Sequence, residues 1–325
     1  MREINNICFL VYQSRSGSTF LSRLLNENEH LSVTPEADFN YEFIYKYKLL
    51  RNALDIESIL VEFFDNKKSK SWNFSQEELQ KELLSLSFPI KFSNFFNTIL
   101  SLHYSEKNPK DIVFKGVFPN KIPQLKKQFP KAKFLLISRD FRAVYNSQEK
   151  TINFNTGKPM SKNPYLASLE YRLFHRFIEA YTEKVFFQHV VYENLMHNQE
   201  DVLAAIYGFL EVPNEKSKGD NYVSGLSQEH KNIHTNVNKP AQKQRMEAWK
   251  DELDPVYISI VQSIAGKSLL KNGYTVETIN LSFSQRINKH RFLWAFLLQP
   301  NEIYVVLKDF FKIRYFSSYR LVDSK

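Results

Sequence analysis

Apolar residues along this chain come in short unbroken runs, each followed by a mixed stretch with helical spacing. Ile7–Tyr12 leads into a helix predicted from about Ser18 to Asn26. Ile112–Lys115 leads, past Pro119, into a helix around Lys121–Gln128. Lys133–Ser138 leads into a helix from Phe141, and Val185–Tyr192 into a helix across Gln199–Leu210. Strands that are apolar on both faces and alternate with helices specify a parallel sheet covered on both sides. The predicted fold class is therefore α/β, a three-layer parallel sheet with its sites at the carboxyl ends of strands.

Two regions break the rhythm. Residues 40–108 are helical in pattern and rich in aromatics, with YEFIYKYKLL early and EELQKELLSLSF later. This helical insertion reads either as a substrate-binding wall or as an extra helical layer. Phe283–Lys325 is a basic, aromatic, helical extension: eight Lys or Arg (Arg286, Lys289, Arg291, Lys308, Lys312, Arg314, Arg320, Lys325) stand against Glu302, Asp309 and Asp323. Such a tail either packs on its own domain, pairs with a second copy as a homodimer, or lies on a membrane surface.

Composition narrows the picture. With 325 residues the chain can bury a full core. The net charge of +9 favours anionic ligands without choosing among nucleotides, glycans and lipid surfaces. Cys8 is the single cysteine, so no intrachain disulfide exists, and its place in ICFLVY reads as a buried strand position. The early apolar run is too short for a signal peptide, and the longest tight run, Phe292–Leu298, is too short to span a bilayer. These features together read as a cytoplasmic protein.

Candidate chemistry begins in QSRSGSTFLSRLL, Gln13 to Leu25. A loop at a helix N-terminus presents unpaired backbone N–H groups to an anion. Ser16, Ser18 and Thr19 add hydroxyls, Arg15 adds a fixed charge, and Gly17 lets the backbone approach closely. The first glycine and the lysine of the nucleotide-triphosphate loop are missing, which weakens a kinase or other NTP-enzyme reading. A second anion element is FLLISRDFRAVYNS, Phe134 to Ser147. Arg139 follows a buried strand, Asp140 is placed to cap the next helix, and Ser147 lies about two turns into it.

These two motifs resemble the sulfotransferases that use 3′-phosphoadenosine 5′-phosphosulfate (PAPS), nearest to the branch with tyrosylprotein and bacterial carbohydrate sulfotransferases. The resemblance runs from about Asn5 to Tyr274, without the insertion. It implies a P-loop NTPase-like sulfotransferase architecture over residues 1–282, followed by the 283–325 extension. It implies that RSGSTFL (Arg15, Ser16, Gly17, Ser18, Thr19, Phe20) holds the 5′-phosphosulfate, and that Arg139 and Ser147 hold the 3′-phosphate. TPEADF places Glu36 at the branch's catalytic carboxylate, and VFKGVFP places Lys115 at its catalytic lysine. VVYENL makes Tyr192 a candidate adenine contact. In IHTNVNKPAQKQRMEAWKDEL, Asn236 and Lys239 are candidate cofactor ligands, while Trp249 reads as packing. Two departures stand out: Phe141 replaces the usual Pro or Gly after Arg-Asp, and no histidine occupies an obvious catalytic motif.

Sulfuryl transfer to a hydroxyl needs a proton acceptor, positive partners for the sulfuryl oxygens, and stabilisation of the leaving phosphate. Glu36 fits the first need, Lys115 and Arg15 the others. Bland readings remain beside each. Thr34-Pro35-Glu36 is also a good helix start, Lys115 can be a solvated strand end, and Tyr192 can be core. His30 and His103 are fallback bases. No metal-ligand spacing occurs, and no metal is expected. The acceptor is expected to be a glycan or small molecule. A non-catalytic polyanion binder is the rival from another class, although no nucleic-acid motif is readable.

Overall fold

The computed structural model describes residues 6–317, except 37–42, 45, 67–68, 70, 106–110, 118–120, 154–155 and 217–243. Five parallel strands form the central sheet: β1 (Asn6–Tyr12), β2 (Leu31–Val33), β5 (Asp111–Val117), β6 (Lys133–Ser138) and β7 (Phe187–Val191). Their order is β2-β5-β1-β6-β7. A separate antiparallel pair, β3 (Leu49–Leu50) and β4 (Ile90–Lys91), lies in the insertion. The helices, in chain order, are α1 (Ser18–Asn26), α2 (Ala53–Asp65), α3 (Gln76–Leu84), α4 (Phe92–His103), α5 (Ile122–Gln128), α6 (Phe141–Glu149) and α7 (Pro164–Tyr181). They continue with α8 (Tyr192–His197), α9 (Gln199–Leu210), α10 (Gln244–Glu247), α11 (Trp249–Glu252), α12 (Pro255–Lys271), α13 (Phe283–Leu297) and α14 (Pro300–Ser317).

Strand periodicity divides the core in two. Ile7, Phe9 and Val11 face one side with Phe114, Phe134 and the insertion helices. Cys8 and Leu10 face the other with Val113, Leu135, Leu21, Leu24, Leu203 and Ile206. Successive strand side chains point to opposite faces, so an unbroken apolar run supplies both cores. Burial pushes the Cys8 thiol up to about 12, in keeping with a strand residue that stays protonated.

The described helices of the insertion pack on the sheet as a helical layer. Ile56, Ile59, Leu60, Phe63, Phe92, Phe95 and Phe96 are fully buried in the same cluster as Phe9. Phe9 alone meets Phe96, Phe114, Phe129 and Phe134 at ring separations of 5.4–5.9 Å. Burying each such ring contributes roughly 1.5–3 kcal/mol. The segment is not purely helical, because β3 and β4 pair within it. The strand expected over Val185–Tyr192 also shrinks: Val185 is 94% exposed, pairing starts at Phe187, and Tyr192 already opens α8.

The C-terminal extension forms α13 and α14, which pack against α7 and α12 of the same chain. Val306 and Phe296 join Leu166, Leu173 and Phe177 in a small core of their own. Among the described residues, no helix is long and apolar enough to cross a membrane.

Candidate active site

Strand register sets the site. β1 lies between β5 and β6; the connection after β1 runs towards β2 and the one after β6 towards β7, which opens a crevice at the carboxyl ends of these two neighbours. Leu10 pairs with Lys115, but Val11 pairs with Val117. Gly116 is the extra residue of this β-bulge, and its φ of 119° is one that glycine tolerates. Such bulges redirect neighbouring side chains.

Lys115 is 2% exposed. Its Nζ donates to Thr19 Oγ1 at 3.0 Å and stands 3.7 Å from Glu36 Oε2. Its backbone N–H donates to Thr34 Oγ1 at 3.0 Å. Thr34 therefore serves the strand pairing and brings Glu36 to the lysine. Thr34, Pro35 and Glu36 themselves are not helical and stand in irregular chain after β2.

The loop before α1 has two left-handed residues, Arg15 (φ 72°) and Gly17 (φ 95°). Gly17 occupies the N-cap position and has no side chain to cap the first turn of α1, so Ser18, Thr19 and Phe20 carry its first N–H groups. A Cβ on Gly17 would lie 2.3 Å from Tyr192 Cδ2. Glycine is thus required by both conformation and space. The Tyr192 ring that fills this space also lies under the Arg139 guanidinium, 4.5 Å from centroid to Cζ. Phe20 is half-buried against the sheet's second core, with Arg23 over its ring.

The two predicted anion elements meet. Arg15 Nε donates to Ser147 Oγ at 3.0 Å across 132 residues of sequence. Arg139 Nη2 donates to the carbonyl of Arg245 at 2.8 Å. Burial, together with the nearby Arg139 and Arg245 guanidiniums, presses the Arg15 pKa below its ordinary value. Three cations gathered at strand and helix ends are arranged for a polyanion. Ser16 Oγ and Arg139 Nε are buried with no hydrogen-bond partner among the described residues. Buried polar atoms are ordinarily paired, so both donors suit an anionic ligand's oxygens.

Asp140 caps α6 by accepting from Arg142 N–H at 2.9 Å. Arg142, unremarked in the sequence, is fully buried. Its Nε and Nη2 hold the two Asp140 oxygens at 3.0 and 2.7 Å, and its Nη1 reaches Gln262 Oε1 and the Thr275 carbonyl. Its guanidinium stacks 3.9 Å over Trp249, which confirms Trp249 as packing. Glu193 accepts from the Asp140 N–H at 3.1 Å and from the Tyr274 hydroxyl at 2.8 Å. The turn that presents Arg139 is thereby fixed from two sides.

The fallback histidines stand elsewhere. His30 precedes β2, at the amino ends of the strands, with Nε2 3.1 Å from Glu215. His103 accepts from the Asn73 N–H at 3.0 Å and packs on Trp72. Burial lowers His175 to about 3 and His189 to about 4, so both stay neutral. Asn236 and Lys239 lie outside the described residues.

The profile of the sulfotransferase family matches residues 8–216, more than half of the chain. The chain belongs to the sulfotransferase family. The match runs from β1 through α9, so it includes the loop, Glu36, Lys115, Arg139, Ser147 and Tyr192. Solved structures share the fold. The sulfotransferase domain from the curacin biosynthetic pathway is 16% identical, with a TM-score of 0.53 over 85% of this chain and 100% of that one. The sulfotransferase domain from the Synechococcus PCC 7002 olefin synthase is 15% identical, with a TM-score of 0.56 over 85% and 98%. No curated protein sequence matches this sulfotransferase. Arg142 and Arg245 are the site-forming residues that sequence reasoning missed. Arginine two positions after a capping aspartate was the available signal for Arg142; Arg245 meets Arg15 only through the fold.

Proposed function

We propose that this enzyme moves a sulfuryl group from PAPS to a hydroxyl of a carbohydrate or small-molecule acceptor, with Glu36 as the general base. The observation that carries this reading is the buried Lys115 ammonium, held between Thr19 at the head of the anion loop and Glu36 beside it. When bound, PAPS supplies the sulfuryl group and its phosphate leaving group.

The chain's own residues divide the work. The N–H groups opening α1, with Ser16, Ser18, Thr19 and Arg15, hold the 5′-phosphosulfate end. Arg139 and Ser147 hold the 3′-phosphate, with Arg245 adding charge nearby. Tyr192 supports Gly17 and Arg139 from below and forms the wall towards the adenine. Lys115 faces the sulfuryl and bridging oxygens, where negative charge grows during transfer. Glu36, beside the Lys115 ammonium, takes the acceptor's proton. Positioning and electrostatics suffice for such a transfer, much as in phosphoryl transfer.

Glu36→Gln tests the base. Turnover is expected to fall roughly 10²-fold, within the range for loss of a general base. Affinity for PAP, the product nucleotide, is expected to stay within about twofold, because the amide keeps the carboxylate's shape. Collapse of PAP binding with normal turnover of the bound complex would assign Glu36 to structure instead.

A further inference from the structure

Helix α13 is mounted with much of its apolar surface outward. Its inner side is held partly by polar contacts: Lys289 Nζ donates to Ser259 Oγ at 2.9 Å, and Asn163 Nδ2 donates to the Phe292 carbonyl at 3.0 Å. Phe292 and Phe296 complete that side against Tyr257 and Tyr165. The outer side carries Phe283, Ile287, Trp294 and Leu298. Their spacing of i, i+4, i+11 and i+15 aligns them in one stripe along the helix and its end. They are 82%, 47%, 66% and 79% exposed. Leu297 lies beside them, and α14 adds exposed Tyr304, Val305 and Leu307 across the turn. Single exposed apolar residues are ordinary; four large ones on one helix face mark an interaction surface.

Charge indicates what covers it. Arg286 and Arg291 fall on either side of the stripe and His290 falls within it, all exposed. Lys308 is exposed on α14, and Glu302 is the acid among residues 283–308. Interfaces between protein chains tend to lose charge at their centres, whereas a helix lying in a lipid interface combines Trp, Phe and Leu with flanking cations. We propose that the α13–α14 face docks on an anionic lipid surface, with α13 in the interfacial plane and Trp294 at headgroup depth. This inference does not rest on sulfuryl transfer.

The protein carries its own reporter. Trp72 and Trp249 are buried while Trp294 is exposed, so an emission change on vesicle addition reads Trp294. The full chain is titrated with vesicles of phosphatidylcholine, with and without phosphatidylserine. The expected result is a blue shift and co-sedimentation with the serine-containing vesicles, at least about tenfold tighter than with phosphatidylcholine alone and weakened by salt. Trp294→Ser with Leu298→Ser is expected to lower co-sedimentation at least about tenfold with thermal unfolding unchanged. Arg286→Gln with Arg291→Gln is expected to remove the preference for anionic vesicles while the protein stays folded. The proposal is overturned if low-salt anionic vesicles capture none of the protein, or if the double serine variant binds them like the parent. It is equally overturned if the blue shift follows protein concentration without vesicles, which would assign the face to a second copy.

Discussion

Replacing Lys115 by Met is expected to lower kcat by about 10³-fold, the upper end for losing one preorganised electrostatic donor. The upper end applies because the ammonium is buried, where a charge acts through little intervening water. Met nearly preserves the volume, so the fold has little reason to respond. The Glu36 side chain is 21% exposed and so stays hydrated when the ammonium is removed. The loss should therefore appear in kcat and kcat/KM together, with the unfolding midpoint near that of the parent protein. Steady-state kinetics at saturating donor settle the point. A kcat within tenfold of the parent's would show that Lys115 is a structural lysine.

Arg142→Met is expected to produce the largest loss of stability, about 3–5 kcal/mol, as for breaking a buried ion pair from one side. Asp140 is 5% exposed, and its carboxylate would lose both guanidinium contacts while keeping the backbone N–H at the head of α6. The same substitution removes the stacking on Trp249 and the contacts to Gln262 and Thr275, which tie α6 to α11, α12 and the chain beyond. Arg142→Lys should recover only part of the loss, since an ammonium cannot reproduce the planar fork. Urea unfolding measures this directly. A midpoint change corresponding to less than about 1 kcal/mol would mean that the network contributes little beyond packing.

Much of this arrangement is legible in the sequence, for a physical reason. Strands buried on both faces need continuous apolar runs, so β1, β5, β6 and β7 announce themselves. The anion loop is equally plain, because only a glycine tolerates both the left-handed backbone at position 17 and the Tyr192 ring pressed against it. Three-residue β2 and the two-residue strands of the insertion leave too short a pattern to be read. The helical, aromatic pattern of residues 40–108 gives no sign that the phenylalanines of α2 and α4 complete the core around Phe9. Contacts between distant side chains are harder still. Arg15 meets Ser147, and Arg139 meets Arg245, only because the parallel order of strands brings their carboxyl ends together. The pairing of Arg142 with Asp140 is local, but its reach to Trp249 and Thr275 is a property of the folded chain. Thr34-Pro35-Glu36 has a helix-start signature, and its contacts are just as hidden from a local reading: the Thr34 hydroxyl accepts from the Lys115 N–H, and Glu36 Oε2 stands 3.7 Å from Lys115 Nζ.

The central claim is that two anion elements, far apart in sequence, grip the two ends of one nucleotide. Calorimetric titration of PAP into the full chain tests it most directly. Saturable one-to-one binding is predicted, weakened at least about tenfold, or about 1.4 kcal/mol, by Arg139→Ala and again by Arg15→Ala. Absence of PAP binding, or an affinity indifferent to both substitutions, would contradict the account.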